Sequence, residues 1–150
     1  MELPGELKEF VESFLLNKVD FVVVGAYAMA YHRLPRLTGD IDLFVGSNSE
    51  NAERISKALV DFGFESLGLG PGDFQKPDTI IQLGYPPNRI DILTEISGVT
   101  FEEAMSTASM GQLDSLTVPF LSRELLERNK LAAGRPKDLF DLKMLRQLEE

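Results

Sequence analysis

The sequence predicts an α/β (α+β) fold, a mixed β-sheet flanked by helices. Short β-branched runs alternate with segments of helical period, which sets strands and helices in one layered unit. The runs at 79–84 and 88–94 flank the turn signal Pro86-Pro87-Asn88 and read as a hairpin, adding an antiparallel pair. A chain of 150 residues, 43% hydrophobic and 26% charged, suits one domain spanning 1–150 that buries its core without staples.

The elements follow in order. Leu7, Phe10, Val11, Phe14 and Leu15 recur at helical spacing and predict a first helix from Leu7 to Lys18. Phe21-Val22-Val23-Val24 is a buried strand within 20–25 that ends at Gly25, and a helix follows over 26–33. The next strand covers 40–45. Ser49 is placed to cap a helix over 50–62, with Ile55, Leu59, Val60 and Phe62 apolar. Phe64 to Leu69 reads as a third strand, before a loop through Gly68, Gly70, Pro71 and Gly72 that is expected to be mobile. After the hairpin, Thr100 caps a helix over 101–107 and 115–122 is extended. Ser122 caps a helix from Arg123 to Ala132, and a last helix runs from Asp138 to Glu149 with Leu139, Leu142 and Leu145 on one face.

Composition excludes several classes. There is no cysteine, hence no disulfide, zinc thiolate or cysteine nucleophile, and the lone His32 precludes a multi-histidine metal site. His32 itself reads as a packed or surface residue rather than a catalytic one. A net charge of −9 argues against bulk DNA binding, which phosphate neutralisation drives. No apolar run approaches a membrane span, and the start Met-Glu-Leu-Pro-Gly-Glu does not resemble a secretory signal, so a cytoplasmic protein is expected.

The chemistry concentrates in Gly39-Asp40-Ile41-Asp42-Leu43-Phe44-Val45. Residues two apart on a strand share a face, so Asp40 and Asp42 project side by side. Like charges that close raise each other's pKa unless a cation intervenes. Mg²⁺ is the usual cation, an oxygen-seeking ion that leaves part of its shell to phosphates. The alternative is a polar strand end facing solvent. A second strand, Asn88 to Leu93, alternates polar Arg89 and Asp91 with apolar Ile90 and Ile92. Asp91 is then either a third ligand or an exposed strand residue paired with Arg89 or another base. Glu95, further along, is a weaker candidate.

The stretch VVVGAYAMAYHRLPRLTGDIDLFV resembles the signature of the polymerase-beta-like nucleotidyltransferase superfamily: strand, glycine turn, helix, then Asp-x-Asp on the next strand. It is most similar to the small prokaryotic members, the minimal nucleotidyltransferases and abortive-infection toxins. Their Pro-Arg-x-Thr-x-Asp-Ile-Asp pattern is matched by Pro35, Arg36, Thr38, Asp40, Ile41 and Asp42, and their Ala-Gly-Arg-Pro-Lys-Asp segment by 133–138.

The resemblance implies a nucleotidyltransferase fold and Mg²⁺-dependent transfer of a nucleotide from a nucleoside triphosphate, ATP by expectation. Asp40, Asp42 and Asp91 would bind two Mg²⁺ ions, and Asp91 would also take the acceptor's proton. The backbone of Gly25 and Ala26 would face the phosphates, with Arg36, Thr38, Lys130 and Lys137 as further phosphate-site candidates. Lys130 and Lys137 can equally belong to a solvated turn between helices, and Asp138 reads as an N-cap. The acceptor would be a protein hydroxyl, a tRNA end or a small molecule, in a toxin–antitoxin setting, with a dimer or partner chain completing the site. One position departs from the pattern: Ala26 stands where Gly or Ser is usual. That departure keeps open a catalytically inactive, partner-binding or regulatory module of the same fold.

Overall fold

The strand Asp40–Val45 lies inside the sheet and decides which chemistry each face carries. The computed structural model describes residues 2–35 and 39–148. In chain order the elements are α1 (Gly5–Leu16), β1 (Phe21–Val24), α2 (Gly25–Tyr31), β2 (Asp40–Val45), α3 (Ser49–Phe62), β3 (Ile80–Leu83), β4 (Arg89–Leu93), α4 (Phe101–Ser106), β5 (Ser109–Leu113), β6 (Leu116–Phe120), α5 (Arg123–Ala133) and α6 (Pro136–Gln147). The six strands form one sheet in the order β3-β4-β2-β1-β6-β5. It is mixed: β2 runs parallel to β4 and β1 parallel to β6, while β1–β2, β3–β4 and β5–β6 are antiparallel.

Side-chain alternation splits β2 between two cores. Ile41, Leu43 and Val45 join Val23, Ile90 and Ile92 beneath α1 and α3, whose Leu7, Phe10, Phe14, Ile55 and Leu59 are buried there. Phe44 points the other way, into a second cluster with Val22, Val24, Leu125, Leu126 and Leu145, and packs edge-on against Phe101 at 5.2 Å. Each fully buried large apolar side chain contributes roughly 1.5–3 kcal/mol relative to exposure. Asp42 and Asp40 continue the Phe44 side of the strand. The second core therefore gives way to carboxylates at that end of the sheet.

Four expectations need correction. The stretch 64–69 is not a strand: Glu65–Leu67 is a 3₁₀ turn ended by Gly68 at φ 69°. Phe62 and Phe64 instead pack on Phe10 at 5.2 and 6.3 Å, so burial on α1 wins over strand pairing. The loop that follows is pinned by Phe74, which is fully buried. The cap of α3 is Asn48, whose side chain accepts from the Asn51 N–H, one residue before the expected Ser49. On α6, Leu142 and Leu145 are buried but Leu139 is 46% exposed.

The caps at Thr100 and Ser122 form as expected, each accepting an N–H from the third residue along. The edge strand β5 carries a polar run, SMGQL, of which only Leu113 is buried, and so gave no strand pattern to read.

Candidate active site

The site assembles where β1 ends and β2 and β4 begin. β1 is antiparallel to β2, which sets Val24 opposite Asp42 and brings the Gly25 turn to the carboxylates. β4 is parallel to β2 in a register that sets Asp91 beside Asp42 and Arg89 beside Asp40. Adjacent strands lie about 4.8 Å apart, so four ionisable side chains crowd one patch of one face.

Glycine is required at 25 for two reasons. Its φ is +68°, and a Cβ there would lie 2.0 Å from Asp42 Oδ2. Gly39 likewise permits close backbone approach, since its Cβ would lie 1.4 Å from the Pro87 carbonyl oxygen. The Arg89 N–H donates to the Gly39 carbonyl at 3.2 Å, which ties the hairpin turn to the start of β2.

The electrostatics follow from burial. Asp91 is 8% exposed. Asp42 is pushed up to about 7, first by burial, then by the charge of Asp91 and a hydrogen bond between the two carboxyl groups, then by Asp40; Arg89 opposes the rise. Near neutrality the Asp42–Asp91 pair thus holds a proton that two ordinary carboxylates would have lost. The Tyr27 hydroxyl is also raised, by burial and by Asp40.

Arg89 is the residue that sequence reasoning undervalued. Its Nε donates to Asp91 Oδ1 at 2.9 Å, while its Nη2 donates to Asp91 Oδ2 at 3.2 Å and to Asp40 Oδ2 at 3.0 Å. The readable signal was its spacing: two residues before Asp91 on a strand, hence on the same face. The pairing with Arg89 expected as the alternative for Asp91 is present, though Asp91 is buried rather than exposed. It also adjoins Asp42.

The donor chemistry fits a divalent cation, because Asp40, Asp42 and Asp91 offer only carboxylate oxygens, the ligands Mg²⁺ prefers. Asp42 is raised first by burial and then by its two carboxylate neighbours, and a cation among them would lower it. As they stand, however, no three acidic or histidine side chains among the described residues converge into a metal cage. The Arg89 guanidinium lies across two of the three carboxylates instead.

The other candidates are dispersed. Lys130, with its side chain 12% exposed, is held by Asp141 at 3.0 Å and Asp138 at 3.6 Å, between α5 and α6. It acts there as an interhelical tie. Lys137 is exposed on the first turn of α6. Asp138 is not the N-cap but sits at the third helical position, accepting the Arg135 backbone N–H at 3.2 Å. Hydrogen bonds from Arg135 hold it below the usual carboxylate range despite burial. His32 contacts the Leu121 carbonyl oxygen through Nε2 at 2.7 Å, a packing role. Glu95 lies exposed beyond β4. Arg36 and Thr38 lie outside the described residues.

Comparison with known proteins decides the family. The sequence profile of the family described as "Nucleotidyl transferase AbiEii toxin, Type IV TA system" matches residues 10–150. The chain belongs to the AbiEii nucleotidyl transferase toxin family. A crystal structure of a Thermotoga maritima protein, proposed to be a nucleotidyltransferase, superposes with a TM-score of 0.56 at 16% identity. The match covers 95% of this chain and 89% of that one, and shows a shared fold. No curated protein matches the chain. The AbiEii assignment makes the chain a nucleotidyltransferase of a toxin–antitoxin system, and the expected nucleotidyltransferase fold is the one observed. No described helix is long and apolar enough to cross a membrane.

Proposed function

We propose that this AbiEii-family chain transfers a nucleoside monophosphate from a nucleoside triphosphate, ATP by preference, to a hydroxyl acceptor in the cytoplasm. The observation that carries the reading is the register of Asp42 beside Asp91, with Asp40 on the same face and the Gly25 turn against Asp42. Asp40 and Asp42 would hold one Mg²⁺, and Asp42 and Asp91 a second. When bound, the ions would supply positive charge to the phosphates and to the attacking oxygen.

The chain's own residues do the rest. The turn at Gly25 and Ala26 admits the phosphates close to the backbone. Burial of Asp91 and partial burial of Asp42 beside the second core put them where charge interactions are stronger than in bulk water. Asp91 receives the acceptor's proton. An acceptor O–P bond forms at the α-phosphorus, the bond to pyrophosphate breaks, and pyrophosphate leaves. Exposed Lys137, and Arg36 and Thr38 a few residues before the Asp pair in the sequence, are candidates to hold the triphosphate. A protein or a tRNA end is the acceptor this reading favours, and a dimer or a partner chain would recognise it.

The test is incubation with each of the four labelled nucleoside triphosphates, Mg²⁺ and a cell extract, followed by mass analysis of the modified species. The expected result is a nucleotidylated acceptor with wild type and none with Asp42→Ala. Equal labelling by both would overturn the reading.

A further inference from the structure

Two of the three carboxylates that would hold metal, Asp40 and Asp91, already pair with a cation of the protein itself. The Arg89 side chain, 27% exposed, spends three N–H donors on these two carboxylates at 2.9–3.2 Å. Its fork engages both oxygens of Asp91, the geometry in which guanidinium pairs best with carboxylate. A metal ligand needs a free lone pair directed at the ion, and a general base needs one directed at a proton. In this arrangement Asp91 has its oxygens turned to Arg89.

We infer that Arg89 is a built-in counter-cation that competes with divalent metal for Asp40 and Asp91, so that metal enters only as the guanidinium lets go. This rests on the metal-dependent reading above and adds a residue which that reading does not need. Three carboxylates without a cation repel each other, and Arg89 relieves that repulsion in the empty protein. The incoming nucleotide carries phosphate oxygens, an alternative partner for the same fork. Arg89 would thus couple metal entry to nucleotide entry, holding divalent affinity low until a triphosphate arrives to take over its hydrogen bonds. Arg89 is in these terms a positioning residue: it sets whether Asp91 is available.

The experiment uses Mn²⁺ as the probe ion, read by the electron paramagnetic resonance of the free ion, with nucleotide absent. Wild type, Arg89→Gln and Arg89→Lys are compared, and circular dichroism verifies folding. Competition predicts that Arg89→Gln binds Mn²⁺ about tenfold or more tightly than wild type. Tenfold corresponds to about 1.4 kcal/mol, a small part of what three charge-assisted hydrogen bonds could contribute. Arg89→Lys, a point charge without the fork, should fall between. Without metal, Arg89→Gln should melt below wild type and recover on adding Mn²⁺. Weaker or unchanged Mn²⁺ binding by folded Arg89→Gln would overturn the inference, since a mere clamp that orients Asp91 as a ligand gives that result. If Arg89→Gln does not fold, unchanged affinity in Arg89→Lys overturns it equally. Should wild type bind Mn²⁺ with ATP and transfer nucleotide while both variants match its nucleotide-free affinity, this inference alone fails. Should no form bind Mn²⁺ with or without ATP, the metal-dependent reading fails with it.

Discussion

Gly25 and Asp42 touch: a Cβ added at residue 25 would lie 2.0 Å from Asp42 Oδ2 and 2.9 Å from its Cγ. The turn that would receive phosphate and the carboxylate that would hold its metal are thus fitted to each other. Gly25 also has φ +68°, which a side chain disfavours by about 1 kcal/mol or more. Gly25→Ala should lower stability by roughly 1–3 kcal/mol, strain and displacement together, and abolish nucleotide binding. Thermal unfolding and calorimetry on one sample check both. A variant that binds ATP as wild type does would show that the turn is not in the site.

The pKa of Asp42 predicts a pH effect with a definite sign. Its folded value, about 7, lies above the ordinary 3.8, so the folded protein holds a proton that the unfolded chain releases. Metal-free stability should therefore fall as pH rises from about 4 to about 7, by up to about 1.4 kcal/mol per pH unit. Asp42→Asn removes the proton and should flatten that slope and raise the metal-free melting temperature at pH 8. Saturating Mg²⁺ should flatten it in wild type as well. Melting curves across pH, with and without Mg²⁺, are the measurement. A slope unchanged in Asp42→Asn would assign the effect elsewhere.

Asp91 should matter more to chemistry than to binding. Asp91→Asn keeps the shape, and ATP affinity should stay within a few-fold. Transfer should drop by a factor on the order of 10² or more, the scale of a general base or metal ligand. Single-turnover rates at saturating ATP separate the two. A parallel loss of affinity and rate would make Asp91 a binding residue only.

Lys130 tests the assignment of the basic residues. Its ammonium ties Asp138 and Asp141, whose side chains are 1% and 4% exposed. Arg135 still pairs with Asp138, so losing the Lys130 ammonium removes charge-assisted contacts rather than all compensation and costs about 1–3 kcal/mol. Lys130→Met should cut the melting temperature, by roughly 2–4 °C per kcal/mol at this size, while folded protein binds ATP nearly normally. Weak ATP binding at unchanged stability would return Lys130 to the phosphate site.

Much of this was legible in the sequence because its physics is local. The Val22–Val24 run and the alternation through Asp40–Val45 have periods that a strand imposes, and both strands are where expected. The pairing of Asp42 with Asp91 was inferable only as a candidate, since register is a long-range property set by the hydrophobic faces of both strands. Arg89 was visible but ambiguous: one arginine can be a solvated neighbour or the centre of a carboxylate cluster, and only the β2–β4 register tells which. The failure at 64–69 has the same origin. Phe64 looks like a strand residue, yet its partner is Phe10, far away in sequence. At Lys130 the deciding partners, Asp138 and Asp141, lie across a helix–helix contact.

The central claim, that the Asp cluster is a Mg²⁺–nucleotide site, is tested most directly by calorimetric titration of ATP into wild type and Asp42→Ala, each with and without Mg²⁺. The account predicts measurable affinity for wild type with Mg²⁺, and little or none in the other three cases. Both proteins should remain folded, and the metal-free variant should melt no lower than wild type, because a repelling carboxylate is gone. Equal affinity in all four titrations would contradict it.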